Sequence, residues 1–342
     1  MTNSTKSKKG ILLALLAGAS WGTMGIFVKN LEHLGFSPMA ISSFRPTIAL
    51  IPYLIINLIK DPECFKTDLK GLLLFAAYGI LALDGMFIGS SYAVKYTGVA
   101  TASVLLFINP VIVMILSYFL FKEKFTINKV IALVLTLVGC CLVVKAYDPN
   151  AFKVNLIGVF WGIISSFAMA LQNILGRIGT SKYSQKTHLT YSLLFGAIFL
   201  WFFEPPWTLV SLVKNSDITV SSLNIIALGI VATLVPTVAL VKSLKYIESS
   251  KASIIASVEP VIASILAFII FGELFEIPQL IGMFMIMVSI VLVQTDGNKN
   301  KDNGNDEKKI DESKKESSEK RIPEDKITDS NDDVKNQISA NQ

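Results

Sequence analysis

Long apolar stretches separated by short polar loops fill the first 295 residues of the chain. A helix needs about 20 apolar residues to cross a hydrocarbon core roughly 30 Å thick, and ten stretches reach or approach that length. None alternates over about ten residues as a membrane β-strand does. The pattern therefore predicts an all-α integral membrane protein. Its ten transmembrane helices are predicted at residues 10–28, 39–58, 71–94, 98–121, 128–145, 155–176, 189–203, 223–243, 252–271 and 278–295.

The loops between these stretches differ in positive charge. With the N-terminus inside, fifteen Lys and Arg residues fall in the inner segments of the ten-helix arrangement. The outer loops carry five, which are Lys29, Lys95, Lys145, Lys153 and Lys214. Positive residues favour the cytoplasmic side of a membrane. Both termini are therefore predicted to be cytoplasmic.

The two halves of the apolar region are related in sequence at an offset of 150 residues. The matches include Lys95-Tyr96 with Lys245-Tyr246, Ala102-Ser103 with Ala252-Ser253, and Pro110-Val111-Ile112 with Pro260-Val261-Ile262. Since each copy has five spans, the second copy must enter the membrane from the opposite face. Inverted-topology repeats of this kind are typical of secondary transporters. The predicted organisation is a cytoplasmic N-terminus 1–9, a first repeat 10–145, an extracytoplasmic linker 146–154, a second repeat 155–295 and a tail 296–342.

Several short motifs carry a resemblance to a known family. They are Ala19-Ser20-Trp21-Gly22, Phe44-Arg45-Pro46, Asn109-Pro110-Val111, Lys122-Glu123-Lys124, Glu259-Pro260-Val261 and Gly272-Glu273-Leu274. Each repeat resembles an EamA domain, and the whole resembles the drug/metabolite transporter superfamily in its ten-helix form with two EamA domains. The resemblance implies a plasma-membrane carrier of small organic metabolites, such as amino acids, amines, carboxylates, sugars or drug-like solutes. It fixes the class and leaves the cargo, the direction and the coupling ion open.

Three charged residues stand out because they lie well inside predicted spans, namely Arg45, Asp84 and Glu259. Such residues cost at least about 2.5–3.5 kcal/mol on insertion scales, so they usually face a cavity or a partner. A guanidinium binds carboxylates through two parallel hydrogen bonds, which makes Arg45 a candidate anion clamp. The alternative for Arg45 is an internal pair with Asp84 or Glu259. Asp84 is a candidate proton relay, or else a hydrogen-bonding partner of a neighbouring helix.

The repeat pairs Glu259 with Asn109, and each of these residues precedes a proline. Pro260 and Pro110 remove a backbone hydrogen bond in mid-helix and displace the carbonyl four residues earlier. Interrupted helices at matching positions of two inverted halves point to a central binding site. Glu259 and Asn109 would then offer polar side chains, and the displaced carbonyls would be free for a ligand. The alternative is that the prolines only bend helices for packing and that Glu259 is a protonated packing residue.

Weaker candidates surround this pair. Trp21 lies deep in the first span and is either an aromatic wall of the substrate cavity or a packing residue beside Gly22. Gln172 and Asn173, in the sixth span, either line the cavity or bond to another helix. Glu123 lies at the end of a span, where a helix cap or a loop ion pair is the favoured role.

Composition argues against several other classes. Only 17% of the residues are charged and 52% are hydrophobic, with a mean hydropathy of +0.56, whereas soluble domains are about 25% charged. With three Cys and two His, we expect no metal site, no cofactor and no enzyme activity. A GxxxxGK[ST] phosphate loop is missing from the sequence, so ATP hydrolysis is not expected. The expected partners are a small-molecule substrate and the lipid bilayer but no nucleic acid, with proton coupling and a homodimer left open.

The tail 296–342 mixes Lys and Arg with Asp and Glu among Asn and Ser, and it lacks aromatic residues. Its few apolar residues cannot form a core, so the composition predicts a disordered cytoplasmic tail. An alternative function follows from this tail. The chain could be a non-transporting membrane sensor or assembly module that acts through residues 296–342.

Overall fold

The computed structural model describes residues 3–149, 155–272 and 274–294, and all regular structure in these ranges is helical. The α-helices are α1 Asn3–Gly22, α2 Met24–His33, α3 Pro38–Lys60, α4 Leu69–Ala76, α5 Gly85–Leu106, α6 Asn109–Phe121, α7 Ile127–Val143, α8 Leu156–Lys182, α9 Gln185–Trp201, α10 Pro206–Lys214, α11 Ile218–Gly229, α12 Val235–Ser243, α13 Ser249–Ala256, α14 Glu259–Phe271 and α15 Ile277–Gln294. The predicted tail 296–342 and most of the predicted linker 146–154 lie outside the described residues.

Seven helical segments of the described chain are long and apolar enough to cross a membrane, and eight if the pair α9 and α10, bent by 75°, is one span. The sequence predicts ten. The difference has two sources. Residues Leu69–Phe121 form one helical run of 53 residues, which at 1.5 Å per residue is about 80 Å and far exceeds one bilayer crossing. In addition, α7 and α9 are short for a span, with 17 residues each.

The 53-residue run is interrupted inside α5. Gly98 has φ 80° and ψ 169°, which are not helical values, and glycine tolerates this conformation because it has no Cβ. The chain therefore bends at Gly98, which is the first residue of the predicted fourth span. A π-helical turn, Ala77–Asp84, joins α4 to α5, and a second one, Ile230–Leu234, joins α11 to α12. The two π-helical turns overlap at the 150-residue offset.

Six of the fifteen α-helices are capped by the side chain of the residue that precedes them. The side chains of Ser37, Asp68, Thr126 and Ser184 accept hydrogen bonds from the backbone N–H three residues later. Such caps satisfy one of the four N–H groups that a helix leaves free at its start, typically stabilising it by about 1 kcal/mol. Asn155 and Asp217 cap α8 and α11 in the same way. These residues fix where α3, α4, α7, α8, α9 and α11 start.

The two sequence repeats pack against each other most extensively through three helix pairs. α1 packs on α12, α3 on α9, and α5 on α8. The main apolar core lies among these helices and includes Tyr78, Phe87 and Leu193, while Leu12, Phe119 and Phe284 are exposed on the outside. An apolar exterior around a core that contains buried polar groups is the arrangement expected of a chain in lipid. The prediction of an all-helical membrane protein agrees with this architecture.

Candidate functional site

A cavity of about 360 Å³ enters the helical bundle from one end and reaches Glu259. Val99, Lys145 and Phe275, which line it, lie at the ends of helical segments, whereas Phe107 and Glu259 lie at helix breaks. Its other polar lining comes from Ser103, Ser264 and Gln279. A mostly apolar cavity with a few convergent polar groups is the usual form of a small-molecule site.

Two interrupted helices meet at the inner end of the cavity. α5 ends at Leu106 and the chain resumes as α6 at Asn109, while α13 ends at Ala256 and resumes as α14 at Glu259. Pro110 and Pro260 are therefore the second residues of α6 and α14, a position that proline tolerates. Asn109 and Glu259 begin the helix after each break. The structure places this predicted pair at equivalent points of the two repeats.

A smaller space of about 10 Å³ lies next to the cavity and is lined by both predicted residues. Trp21, Asn173 and Ser253 also line it. Phe107 and Glu259 line both the cavity and the smaller space. They therefore separate the open cavity from the closed interior of the bundle.

Asn109 and Glu259 differ in their bonding. The amide nitrogen Nδ2 of Asn109 donates to the carbonyl oxygen of Leu106 at 3.0 Å, and its Oδ1 accepts from the Ser253 hydroxyl at 3.3 Å. The Leu106 carbonyl also accepts from the Ser166 hydroxyl at 3.4 Å. The expectation that this carbonyl is free for a ligand is therefore wrong, because side chains occupy it. Glu259 is partly exposed, which leaves it as the more available polar group of the pair.

Arg45 is buried beside the site and carries the positive charge there. Its Nε donates to the Thr233 hydroxyl at 3.1 Å, and its guanidinium carbon lies 3.7 Å from the centre of the Phe87 ring. Among the described residues its Nη2 has no hydrogen-bond partner and no carboxylate lies within 4.0 Å. It still interacts electrostatically with Glu259. The direct ion pair considered for Arg45 is thus not formed in this conformation.

Trp21 is 4% exposed and packs in the main apolar core. It lines the smaller space, and it belongs to a face of α1 that packs closely on the broken helix of the other repeat. A Cβ added at Gly18 would lie 2.2 Å from the Ala256 carbonyl oxygen, and one at Gly22 would lie 2.8 Å from the Glu259 carbonyl oxygen. The two glycines thus let α1 contact the backbone on both sides of the break.

Two predicted residues lie away from the cavity. Asp84 is 0% exposed, and its carboxylate packs against Gly196 without a hydrogen-bond partner among the described residues. Gln172 donates to the Ala82 carbonyl at 3.3 Å and so ties α8 to the first π-helical turn. Asn173 does line the smaller space, but its Nδ2 donates to Met169 of its own helix. Asp84 and Gln172 are not part of the site in this conformation.

Some residues of the site were not singled out from the sequence. Ser103 lines the cavity and Ser253 bonds to Asn109, and these two are paired by the 150-residue offset. That pairing was the signal available for them. At the mouth of the cavity Lys145 and Tyr147 donate to Glu276 at 2.7 and 2.6 Å. These two hydrogen bonds lower the pKa of Glu276.

Nothing in the described part of the chain gathers three or more His, Cys, Asp or Glu side chains in a position to hold a metal ion.

Comparisons with known proteins agree with this architecture. The sequence profile of the EamA-like transporter family matches residues 8–145 and 156–295, which are the two repeats. A solved crystal structure of a protein superposes with a TM-score of 0.71 at 13% identity, over 85% of this chain and 98% of that one. That likeness concerns the fold.

Curated relatives align over nearly their whole length. The chain is 24% identical to the uncharacterized inner membrane transporter YicL of Salmonella typhimurium, over 86% of this chain and 97% of the relative. It is 29% identical to an uncharacterized transporter of Archaeoglobus fulgidus, over 81% of this chain and 93% of the relative. It is 26% identical to an uncharacterized transporter of Clostridium kluyveri, over 89% of this chain and 97% of the relative.

Proposed function

Because the chain belongs to the EamA-like transporter family, we propose that it is a secondary transporter that moves a small organic solute across the plasma membrane by alternating access. The observation that carries this proposal is the cavity, which is open at one end and stops at Glu259 and Phe107. A solute that enters there meets a barrier beyond which the bundle is closed. Transport then requires the bundle to close around the cavity and to open on the other side.

The proposal includes ten spans in two inverted repeats, with both termini in the cytoplasm. The bend at Gly98 supports the division of the run Leu69–Phe121 into two spans. The helix pairs support the inversion. α1 packs on α12 and α5 packs on α8. At the 150-residue offset α1 corresponds to α8 and α5 corresponds to α12, so each helix pair is the counterpart of the other. The lysine-rich loops at one end of the bundle support the cytoplasmic assignment.

Glu259 is the residue proposed to bind the solute. Glu259 lines the cavity, and among the described residues no side chain or backbone group donates a hydrogen bond to its carboxylate, so it is available to an ammonium or a hydroxyl group of a ligand. Arg45 adds a positive charge within electrostatic range of Glu259, together with an unpartnered Nη2 among the described residues. The cavity volume of about 360 Å³ suits a solute of the size of an amino acid, an amine or a small carboxylate. Exchange of a proton at Glu259 would couple transport to the proton gradient.

A comparison of solutes inside and outside cells tests the function before the substrate is identified. Cells that express the wild-type chain, Glu259→Gln or Glu32→Gln are compared with cells that lack the chain, by untargeted mass spectrometry. Glu32 is an exposed carboxylate at the end of α2, so its variant is a control for the loss of a charge. We expect at least one solute to be redistributed by the wild type and by Glu32→Gln but not by Glu259→Gln. Solute profiles identical to those of cells without the chain would argue against transport.

A further inference from the structure

The end of the bundle opposite the cavity is held together by charged and polar side chains from both repeats. We call this group the closed-end cluster; its members are Glu123, Lys129, Arg177, Glu248, Ser249 and Ser250. Glu123 and Lys129 belong to the first repeat, and the other four belong to the second. The cluster joins the loop after α6 and the start of α7 to the end of α8 and the start of α13.

Three helical runs have one end at the cavity mouth and the other end at this cluster. Val99 lines the cavity and Glu123 follows the other end of the same run, which is about 33 Å away at 1.5 Å per residue. In the same way, α7 has Lys129 of the cluster near its start, and Lys145 at the cavity mouth follows its end. The run formed by α13 and α14 starts at Ser249 of the cluster, and Phe275 at the mouth follows its end. The cavity and the closed-end cluster are therefore at opposite ends of the bundle.

Glu123 is the centre of the cluster, and its side chain is only 4% exposed. Its carboxylate accepts hydrogen bonds from the backbone N–H groups of Ser249 at 2.9 Å and Ser250 at 3.3 Å. It also accepts from the Ser250 hydroxyl and from the guanidinium of Arg177. Hydrogen bonds to an ionised group are roughly twice as strong as neutral ones. One carboxylate thus holds together three segments of the chain.

Glu123 supplies a helix cap that α13 does not supply for itself. The residue before α13 is Glu248, which makes no capping hydrogen bond. Its carboxylate instead pairs with the Nζ of Lys129, a side chain 3% exposed, at 2.7 Å. By contrast α7 and α9 are capped by Thr126 and Ser184, which precede them in the chain. The start of α13 therefore loses its cap if the two repeats separate at this end.

The two repeats show equivalent helix starts in two different environments, one closed and one open. At the 150-residue offset, Ser249 and Ser250 correspond to Val99 and Ala100. Ser249 and Ser250 are buried and capped by Glu123, whereas Val99 and Ala100 line the open cavity. Equivalent helix starts are thus closed at one end of the bundle and open at the other.

We propose that Glu123 is a positioning residue of the transport cycle, which keeps one end of the bundle shut while the other end is open. The proposal rests on the function proposed above. Opening of the closed end breaks the bonds from Glu123 to Ser249, Ser250 and Arg177, and water then satisfies the free N–H groups. Removing the Glu123 charge shifts the equilibrium towards the conformation that is open at this end.

Thiol accessibility measures this equilibrium directly. Cys64, Cys140 and Cys141 are first replaced by Ser, and a single cysteine is then introduced by Ser257→Cys or Ser264→Cys. Ser257 lines the smaller space between Glu259 and the closed end, and Ser264 lines the cavity. The labelling rate by a membrane-impermeant maleimide is measured in membrane vesicles of both orientations. With Glu123→Gln we expect labelling at position 257 from the closed end to rise roughly tenfold or more, and labelling at 264 from the cavity side to fall.

Two further variants make the test decisive. Arg177→Gln removes one partner of Glu123 but leaves the cap on α13, so a smaller rise at position 257 is expected. Glu63→Gln breaks an ion pair between Glu63 and Lys66 within the first repeat. The two side chains are 79% and 77% exposed. This control should leave both labelling rates unchanged. If Glu123→Gln does not accumulate in the membrane, the result with Arg177→Gln decides.

Two results would overturn the proposal. One is unchanged labelling at both positions. The other is a rise at both positions together with a lower melting temperature, since this would mean that Glu123 only stabilises the fold. The assay needs no substrate, so its failure is distinct from a failure of the proposed transport function. Flux with unchanged labelling contradicts the role of Glu123, whereas shifted labelling without any flux contradicts transport alone.

Discussion

The close packing of α1 on the broken helix makes a quantitative prediction for Gly18. Replacing Gly18 with Ala puts a Cβ 2.2 Å from the carbonyl oxygen of Ala256 and 2.7 Å from a methyl carbon of Val258. Ordinary contacts between carbon and oxygen are about 3.3 Å or longer, so α1 must move by about 1 Å. Overpacking of this kind costs about 1–3 kcal/mol. For an apolar region of about 290 residues we expect a melting temperature lower by roughly 2–5 °C.

The assay is thermal unfolding of the purified protein in detergent, followed by loss of the monodisperse peak in size-exclusion chromatography. Gly25→Ala is the matched control, since no atom lies within 4 Å of an added Cβ there. Alanine is also the better helix former, so Gly25→Ala should melt at the wild-type temperature or slightly above it. A Gly18→Ala protein as stable as the wild type, or an equal loss in both variants, would refute the reasoning about this contact.

Two other predictions concern regions outside the membrane. Asp68 caps α4 through Gly71 and accepts from the Tyr183 hydroxyl at 2.7 Å, and this hydroxyl bond, followed by the Gly71 bond, lowers the pKa of the Asp68 carboxyl. The contribution of the Asp68 carboxylate to stability is fully present above pH 3.8, its ordinary pKa, and is lost as the pH falls through the lowered pKa. In Asp68→Asn the melting temperature should therefore fall less steeply as the pH is lowered through this range. An equally steep fall in this variant would contradict this assignment. Deleting residues 297–342 should leave solute flux per molecule unchanged, whereas lost function at wild-type membrane levels would favour the sensor alternative.

The sequence predicts the all-helical membrane architecture because hydropathy acts locally. A continuous run of about 20 apolar residues in lipid satisfies its backbone hydrogen bonds within one helix, and this accounts for the helices without reference to distant contacts. The helix count is harder, because only residues 95–97 separate the predicted third and fourth spans, and helical structure continues through them up to the bend at Gly98. Glu259 and Asn109 were predicted because the repeat aligns them, each in front of a proline.

The remaining contacts could not be predicted because they depend on which face of a helix a residue occupies. Arg45 bonds to Thr233 in the other repeat, 188 residues away, and Glu123 caps a helix that begins 126 residues later. No local pattern encodes such pairs. Asp84 ends a π-helical turn, where the spacing of the helix changes. Its face therefore could not be derived from a regular period, and it lies outside the cavity.

The most direct test of the transport function is flux in proteoliposomes that contain the purified protein. The solute is the one identified by comparing cells, and its uptake is followed with and without an imposed proton gradient. We expect wild-type protein to carry the solute and Glu259→Gln to lose most of that flux at equal protein content, with Glu32→Gln unaffected. Wild-type flux in Glu259→Gln across the pH range would contradict the central role of Glu259 and of proton exchange at this residue.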